Sequence, residues 1–283
     1  MKCFYHSADL DGHCSGAIIK QQFPDCEMIG INYGDSFPWH LLTDVKETVW
    51  MVDFSLQPFD LMFKLARSCK LHWIDHHKSA YEEAIKSNFE CDLWFVDCEN
   101  SACELVWEYV VDTHLPNSVY LLGRHDVFDH SDPRTLPFQY GMRMLKDTKP
   151  DNFVLWKSLL EPAVGNPKVN DIIEKGQVIL DYITTENEKY AKSCSFETIF
   201  EGYNCIAVNK ALANSMIFDS VYDDKKHDLM IIFGFRKGKW TVSLYTKREH
   251  IDVSEIAKRH NGGGHKKAGG FQCKELPFHL FHD

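Results

Sequence analysis

The sequence predicts an α/β protein: a mostly parallel sheet with helices on both faces, then a smaller C-terminal α/β domain, with an active site in the cleft between them. Three observations predict it. Short apolar runs alternate with amphipathic stretches through the first half, the pattern of strand–helix–strand units. Acids recur where those runs end, at Asp9 and Asp11, Asp53, Asp75 and Asp97. After Phe196 the texture changes, and two apolar runs flank Lys237-Gly238-Lys239 as a hairpin would.

The strands and helices follow in order. Residues 2–6 read as a strand, 7–12 as a polar turn and 13–23 as a helix, so His6, Asp9 and Asp11 fall on a strand end and the loop after it. A helix cap needs one acid, whereas this stretch has two acids and an upstream histidine. Residues 27–31 and 48–52 read as strands, the second ending at Asp53. Pro58 opens a helix reaching about residue 68. Residues 70–74 form a strand that ends in Asp75-His76-His77, with a helix near 80–86. Residues 92–96 read as one more strand, and Ser101 with Glu104 fits a capping box. A further apolar segment delivers Asp126, and its neighbours Arg124 and His125 could contact an anion. Residues 146–170 are turn-rich with one short helix near 153–160. The helix at 170–194 is either a connector or the last helix of the first domain.

In the second half, residues 205–208 read as a strand and 214–221 as a helix. Residues 229–235 and 240–245 form the hairpin, and 253–260 a helix. Then comes Gly262-Gly263-Gly264-His265-Lys266-Lys267. Backbone N–H groups approach a phosphate closely where no Cβ intervenes, and His265 adds a donor. A loop after a helix stop is the plainer reading of these glycines. Arg248 and Tyr245 are further candidates for phosphate or base contact. The expected boundaries are a catalytic domain at 1–145, a linker and connecting helix at 146–195, and a substrate-binding domain at 196–283.

Bulk composition narrows the function. The 283 residues are 44% hydrophobic and 25% charged, ordinary globular usage. A net charge of −10 argues against a generic nucleic-acid coat, whose affinity comes from phosphate neutralisation. Between Lys225 and Lys267, however, eleven Lys and Arg face four Asp and Glu, so the second domain suits a polyanion. Ten cysteines without a CxxC pair point to reduced thiols packed as small core residues. Residues 1–6 turn polar before an apolar signal core develops. No run approaches the ~18 apolar residues of a membrane span. The expected setting is the cytoplasm, with no membrane partner.

Strand-end acids in a parallel sheet lie on one edge and repel one another unless cations sit between them. Oxygen and imidazole ligands without thiolate suit Mn²⁺ better than structural zinc. Neither a G-x-S-x-G elbow nor a G-x-x-x-x-G-K-[ST] loop is present.

The set His6-x-x-Asp9-x-Asp11, Asp53, Asp75-His76-His77 and Asp126 resembles the DHH phosphoesterase superfamily. That superfamily includes RecJ-type exonucleases, nanoRNases, cyclic-dinucleotide phosphodiesterases and manganese pyrophosphatases. His6 and Asp9 are three apart, where many members have four, which leaves Asp9 and Asp11 the firmer ligands. The resemblance implies two Mn²⁺ ions, with Mg²⁺ or Co²⁺ as alternatives. One would be held by His6, Asp9 and Asp53, the other by Asp11, Asp53, His76 and Asp126. It also implies catalytic roles for Asp75, which orients the histidines, and His77, which faces the scissile phosphate. The glycine run resembles the DHH-associated domain, which implies substrate contacts from Gly263, Gly264 and His265, with Arg248 nearby, and a nucleotide phosphodiester in preference to pyrophosphate. The expected function is a Mn-dependent, two-metal phosphodiesterase of short oligonucleotides or dinucleotides, a nanoRNase-like exonuclease. Alternatives are a cyclic-dinucleotide phosphodiesterase and a non-catalytic nucleotide-binding sensor. The oligomeric state is unread and compatible with a homodimer.

Overall fold

The first sheet is built from strands whose side chains alternate between two apolar layers. In the computed structural model, which describes residues 1–42, 46–162, 165–264 and 266–280, these strands are β1 (Lys2–His6), β2 (Glu27–Ile31), β3 (Thr48–Val52), β4 (Lys70–Asp75) and β5 (Leu93–Val96). Cys3, Tyr5, Trp50, Val52 and Ile74 enter one layer, and Phe4, Val49, Met51, Leu71 and Trp73 the other. Burial on both faces is what a parallel sheet with helices on each side requires.

The helices supply the matching faces. They are α1 (Leu10–Gln22), α2 (Asp60–Ser68), α3 (Lys78–Ser87), α4 (Ala102–Val110), α5 (Asn117–Asp126), α6 (Thr135–Arg143), α7 (Phe153–Leu159) and α8 (Pro167–Cys194). Residues of α1 and α4–α8 line the first layer, and Met62, Leu65, Ala80 and Ala84 of α2 and α3 line the second. The strand order is β2-β1-β3-β4-β5, with every pair parallel. The chain leaves β1 toward β2 on one side and returns to β3 on the other. This reversal opens a crevice at the carboxyl ends of β1 and β3, where ligands of open α/β sheets bind.

The chain divides into two compact units, Met1–Leu180 and Asp181–Asp283, and the division falls inside α8. The second unit has β6 (Ser195–Phe200), β7 (Tyr203–Asn209), β8 (Leu229–Arg236), β9 (Lys239–Tyr245), α9 (Val253–Arg259), β10 (Gly263–Gly264) and β11 (Ala268–Cys273). Its sheet runs β10-β11-β9-β8-β7-β6, antiparallel except for β7 with β8. One face packs on Val253, Ile256 and Ala257 of α9, the other on Ala191, Ile217 and Phe218.

Three local expectations differ from what is found. α1 begins at Leu10, which puts Asp11 in its first turn, because Asp9 accepts from the Gly12 N–H and caps the helix there. The stretch read as a helix at 214–221 is one 3-10 turn, Ser215–Phe218, stopped early after the Asn214 side chain caps the Met216 N–H. The glycine run is an edge strand: Gly263 and Gly264 pair with Gly270 and Gly269. A Cβ on Gly262 would lie 2.1 Å from the Gly270 carbonyl oxygen, and Gly264 has φ +139°. Backbone packing therefore demands glycine at these two positions, while Gly263 faces open space. Among the described residues no helix is long and apolar enough to cross a membrane.

Candidate metal centre

The switch-point crevice gathers its polar groups from four places in the first unit. β1 ends at His6, and α1 starts against that end. A Cβ on Gly12 would meet the His6 carbonyl oxygen at 2.0 Å, so only glycine lets the helix come this close and bring Asp9 and Asp11 beside His6. β3 ends one residue before Asp53. That residue takes φ +55°, a conformation Asp tolerates better than most side chains, and its N–H donates to the Ile74 carbonyl on β4 at 2.9 Å. β4 ends at Asp75, and His76 and His77 follow. Asp126 is the last residue of α5, so it arrives on a helix rather than at a strand end.

The side chains converge. His6 Nδ1 is 2.8 Å from Asp9 Oδ2 and 3.5 Å from Asp53 Oδ2. His76 Nε2 lies 3.3 Å from Asp53 Oδ1, 3.2 Å from Asp126 Oδ2 and 3.7 Å from Asp11 Oδ2. His77 Nδ1 is 3.9 Å from Asp53 Oδ1. Three sets of ligand atoms each lie within 4.8 Å of one another: His6, Asp9 and Asp53; Asp11, His76 and Asp126; Asp53, His76 and His77. These groups could hold a metal ion.

Two features fit a cation at this place. The buried atoms Asp53 Oδ1 and His6 Nδ1 have no aligned hydrogen-bond partner among the described residues, although other ligand atoms stand close by. Close approach without hydrogen-bond alignment is what donor atoms show when their lone pairs aim at a common point. The protonation balance agrees. Burial and the neighbouring Asp53 push the Asp11 carboxyl up. Burial and Asp11 raise Asp126 to about 7. Burial alone would depress the imidazoles, but Asp53 with Asp9 lifts His6 to about 10. Asp53, Asp11 and Asp126 lift His76 to about 11. Buried carboxylates are drawing positive charge toward themselves, which protons or a divalent ion can supply.

Two anchors hold this set. Asp75 is fully buried, and its Oδ1 accepts from the backbone N–H groups of His76 and His77 and lies 2.7 Å from His77 Nδ1. Asp11 accepts from the N–H groups of Ala102 and Cys103 at 2.9 and 2.7 Å, the first turn of α4, where helix N–H groups need acceptors. The start of α4 is itself fixed by the Ser101–Glu104 capping box. Glu104 also takes a 2.5 Å hydrogen bond from Arg124 on α5, two residues before Asp126. Arg124 is thus committed to a carboxylate, and His125 stacks on His130. Beside this set, Asp9 borders a recess of about 290 Å³ that also includes His13, Gln139, Arg143 and Thr148.

No family model matches the chain. An uncharacterized protein of Acanthamoeba polyphaga mimivirus is 28% identical over 294 residues, 94% of this chain and 66% of that protein. The oligoribonuclease NrnB of Bacillus subtilis is 33% identical over 107 residues, 36% of this chain and 26% of NrnB. The chain thus spans less than two thirds of the length of either relative. Among solved structures, the DHH domain of a protein assigned to a ribosomal-protein family aligns with a TM-score of 0.59 at 13% identity, covering 95% of this chain and 81% of that one. By fold, the chain resembles that DHH domain. PggH of Vibrio cholerae, a pGpG-specific phosphodiesterase, shares the DHH fold at a TM-score of 0.52 and 13% identity, over 96% and 92% of the two chains.

Within this DHH fold the structure brings together His6, Asp9, Asp11, Asp53, Asp75, His76, His77 and Asp126. The residues expected to contact substrate belong to the second unit. Gly263 and Gly264 form the edge strand, and Arg248 has Nε 3.6 Å from Asp228 Oδ1. His265 lies outside the described residues. Sequence reasoning misses two contributors. Glu104 reads there only as a cap, and its pairing with Arg124 depends on a helix–helix approach that spacing does not reveal. Tyr33 has one available signal, an aromatic just past the end of β2.

Proposed function

We propose that the chain is a metal-dependent phosphodiesterase of short oligonucleotides or dinucleotides, with Mn²⁺ favoured by the all oxygen-and-imidazole ligand set. The observation that carries it is the placement of Asp53, whose two oxygens face separate ligand groups. His6, Asp9 and Asp53 would hold one ion, and Asp11, Asp53, His76 and Asp126 the second. When bound, such a pair polarises a phosphoryl oxygen and generates a nucleophile from water.

The protein's own residues do the rest. Burial alone would lower the His77 pKa, but the adjacent Asp75 outweighs it and raises it to about 9. Asp75 thus favours the imidazolium form of His77. With Nδ1 engaged by Asp75, its Nε2–H is the atom available to a non-bridging phosphate oxygen. Asp75 Oδ1 holds that ring at Nδ1 and fixes the backbone beneath it by accepting from the N–H groups of His76 and His77. On the sequence resemblance, Gly263, Gly264, His265 and Arg248 are proposed as phosphate contacts of the second unit. NrnB is named an oligoribonuclease and PggH a pGpG-specific phosphodiesterase, which supports a short nucleotide substrate for this chain.

The test is a metal-by-substrate screen of the full chain against linear RNA dinucleotides, cyclic dinucleotides, longer strands and pyrophosphate. Fastest turnover of linear dinucleotides with Mn²⁺ is expected. Ring opening alone would reassign the substrate, and tight dinucleotide binding without turnover in any metal would replace the enzyme with a sensor.

A further inference from the structure

Tyr33 stands at the metal centre without belonging to it. It follows β2 in a turn closed from both ends: the Asp35 N–H donates to the Asn32 carbonyl at 3.0 Å, and the Asn32 N–H donates to Asp35 Oδ2 at 2.9 Å. Ser7 Oγ donates to Asn32 Oδ1, tying the turn to the segment that carries Asp9. The Tyr33 ring rests on Phe54, the residue after Asp53, with centroids 4.5 Å apart. Phe54 is buried, whereas Tyr33 remains 45% exposed. The ring centroid of Tyr33 is 5.6 Å from that of His6 and 6.0 Å from that of His77.

A single exposed aromatic is ordinary on a protein surface. This one differs in placement and support. It is propped from beneath by a core phenylalanine, fixed by a bracketed turn, and set against two imidazoles of the crevice. A nucleobase is joined to its phosphate by one ribose. A phosphate held among these histidines therefore brings a base onto the adjoining surface, and every base has a face that stacks on an aromatic ring. Pre-ordering matters because a ring already fixed loses little freedom when a base covers it.

We infer that Tyr33 is a stacking platform for a nucleobase of the bound substrate, which makes the crevice selective for nucleotides over base-free phosphates. This rests on the reading of the crevice as a phosphate-ester site, and it adds the substrate feature that the metal ligands do not select. Such stacking is sequence-tolerant, so Tyr33 favours nucleosides as a class and not one base.

The test is calorimetric binding of AMP and of ribose 5-phosphate to the Mn²⁺-loaded full chain, since these ligands differ only in the base. Wild type should bind AMP more tightly, and Tyr33→Ala should shrink that ratio about tenfold, the scale of one lost base stack. Tyr33→Phe, which keeps the ring and its seat on Phe54, should retain the ratio. An unchanged ratio in Tyr33→Ala, or no preference in wild type, overturns the inference. A Tyr33-dependent preference for AMP in a protein that turns over no dinucleotide would overturn the phosphodiesterase reading and leave this one standing.

Discussion

His76 Nε2 lies 3.2 Å from Asp126 Oδ2, joining the loop after β4 to the last turn of α5. The pair sets a pH dependence. His6, His76 and His77 have pKa values raised to about 10, 11 and 9 by their carboxylate neighbours. A raised imidazole contributes stability that is fully present below its unfolded value near 6.5 and is lost as pH climbs through the folded value. Asp126, raised to about 7, acts in the same direction, because its burial costs more as it ionises. Chelator-treated protein should therefore lose thermal stability steadily from pH 6.5 to 9. Mn²⁺ replaces the protons on its proposed ligands His6, His76 and Asp126, and its affinity rises with pH. The melting-temperature gap between Mn²⁺-loaded and chelated protein should widen over that range, and a constant gap would place the metal elsewhere.

Asp53 should separate stability from function. Its carboxyl is pushed up by burial, only partly offset by His6 and His76. Asn has the same shape, no charge, and tolerance for the positive φ found there. Asp53→Asn should lower kcat/KM on a dinucleotide by about a thousandfold or more, the several kcal/mol a correctly placed cation supplies. The same variant under chelator at pH 8 should melt higher, because burial makes the ionised Asp53 carboxyl costly where it stands. Activity near wild type would remove Asp53 from the centre.

The legibility of this centre in the sequence follows from what each residue depends on. His6, Asp53 and Asp75 sit at the ends of strands that short continuous apolar runs define, so a parallel sheet alone brings them to one edge. Asp126 is readable as a residue type but not as the end of α5, because the segment before it is apolar without a decisive period. Asp11 is legible as an acid near a helix start. Its anchoring to Ala102 and Cys103, 91 and 92 positions away, is a tertiary fact with no local signature. The glycine run shows the converse. A phosphate cradle and an edge strand both call for glycine, and only the pairing with β11 shows that the backbone needs it at Gly262 and Gly264 in any case.

Gly12 offers a steric test. Its Cβ position falls 2.0 Å from the His6 carbonyl oxygen, and neither the strand end nor the helix start can yield without displacing a proposed ligand. Gly12→Ala should destabilise the first unit by about 1–3 kcal/mol, the usual cost of overpacking. It should also weaken Mn²⁺ binding, because Asp9 and Asp11 lie just before the residue that moves. Urea denaturation with Mn²⁺ titration would measure both. Full Mn²⁺ affinity in the variant would mean that α1 can shift without carrying its carboxylates away.

Glu104 tests whether the anchor of Asp11 matters to the metal. Its carboxylate closes the capping box of α4 and receives Arg124 from α5, so one side chain ties the helix that orients Asp11 to the helix that ends in Asp126. Glu104→Ala loses the carboxylate half of the capping box and leaves Arg124 to Asn100 and Asp129, at a cost of about 2 kcal/mol. The effect on the metal should exceed what general destabilisation explains. Removing a partner that orients a ligand typically weakens metal binding ~10–100-fold, here through loosened N–H groups at Ala102 and Cys103. Glu108 lies one turn further along the same helix and is exposed. Glu108→Ala should therefore change stability by no more than ~0.5 kcal/mol and leave Mn²⁺ affinity alone. Mn²⁺ calorimetry on both variants, at a temperature where each is fully folded, decides the matter. Equal affinities would confine Glu104 to capping and cut the proposed link between α4 and the metal centre.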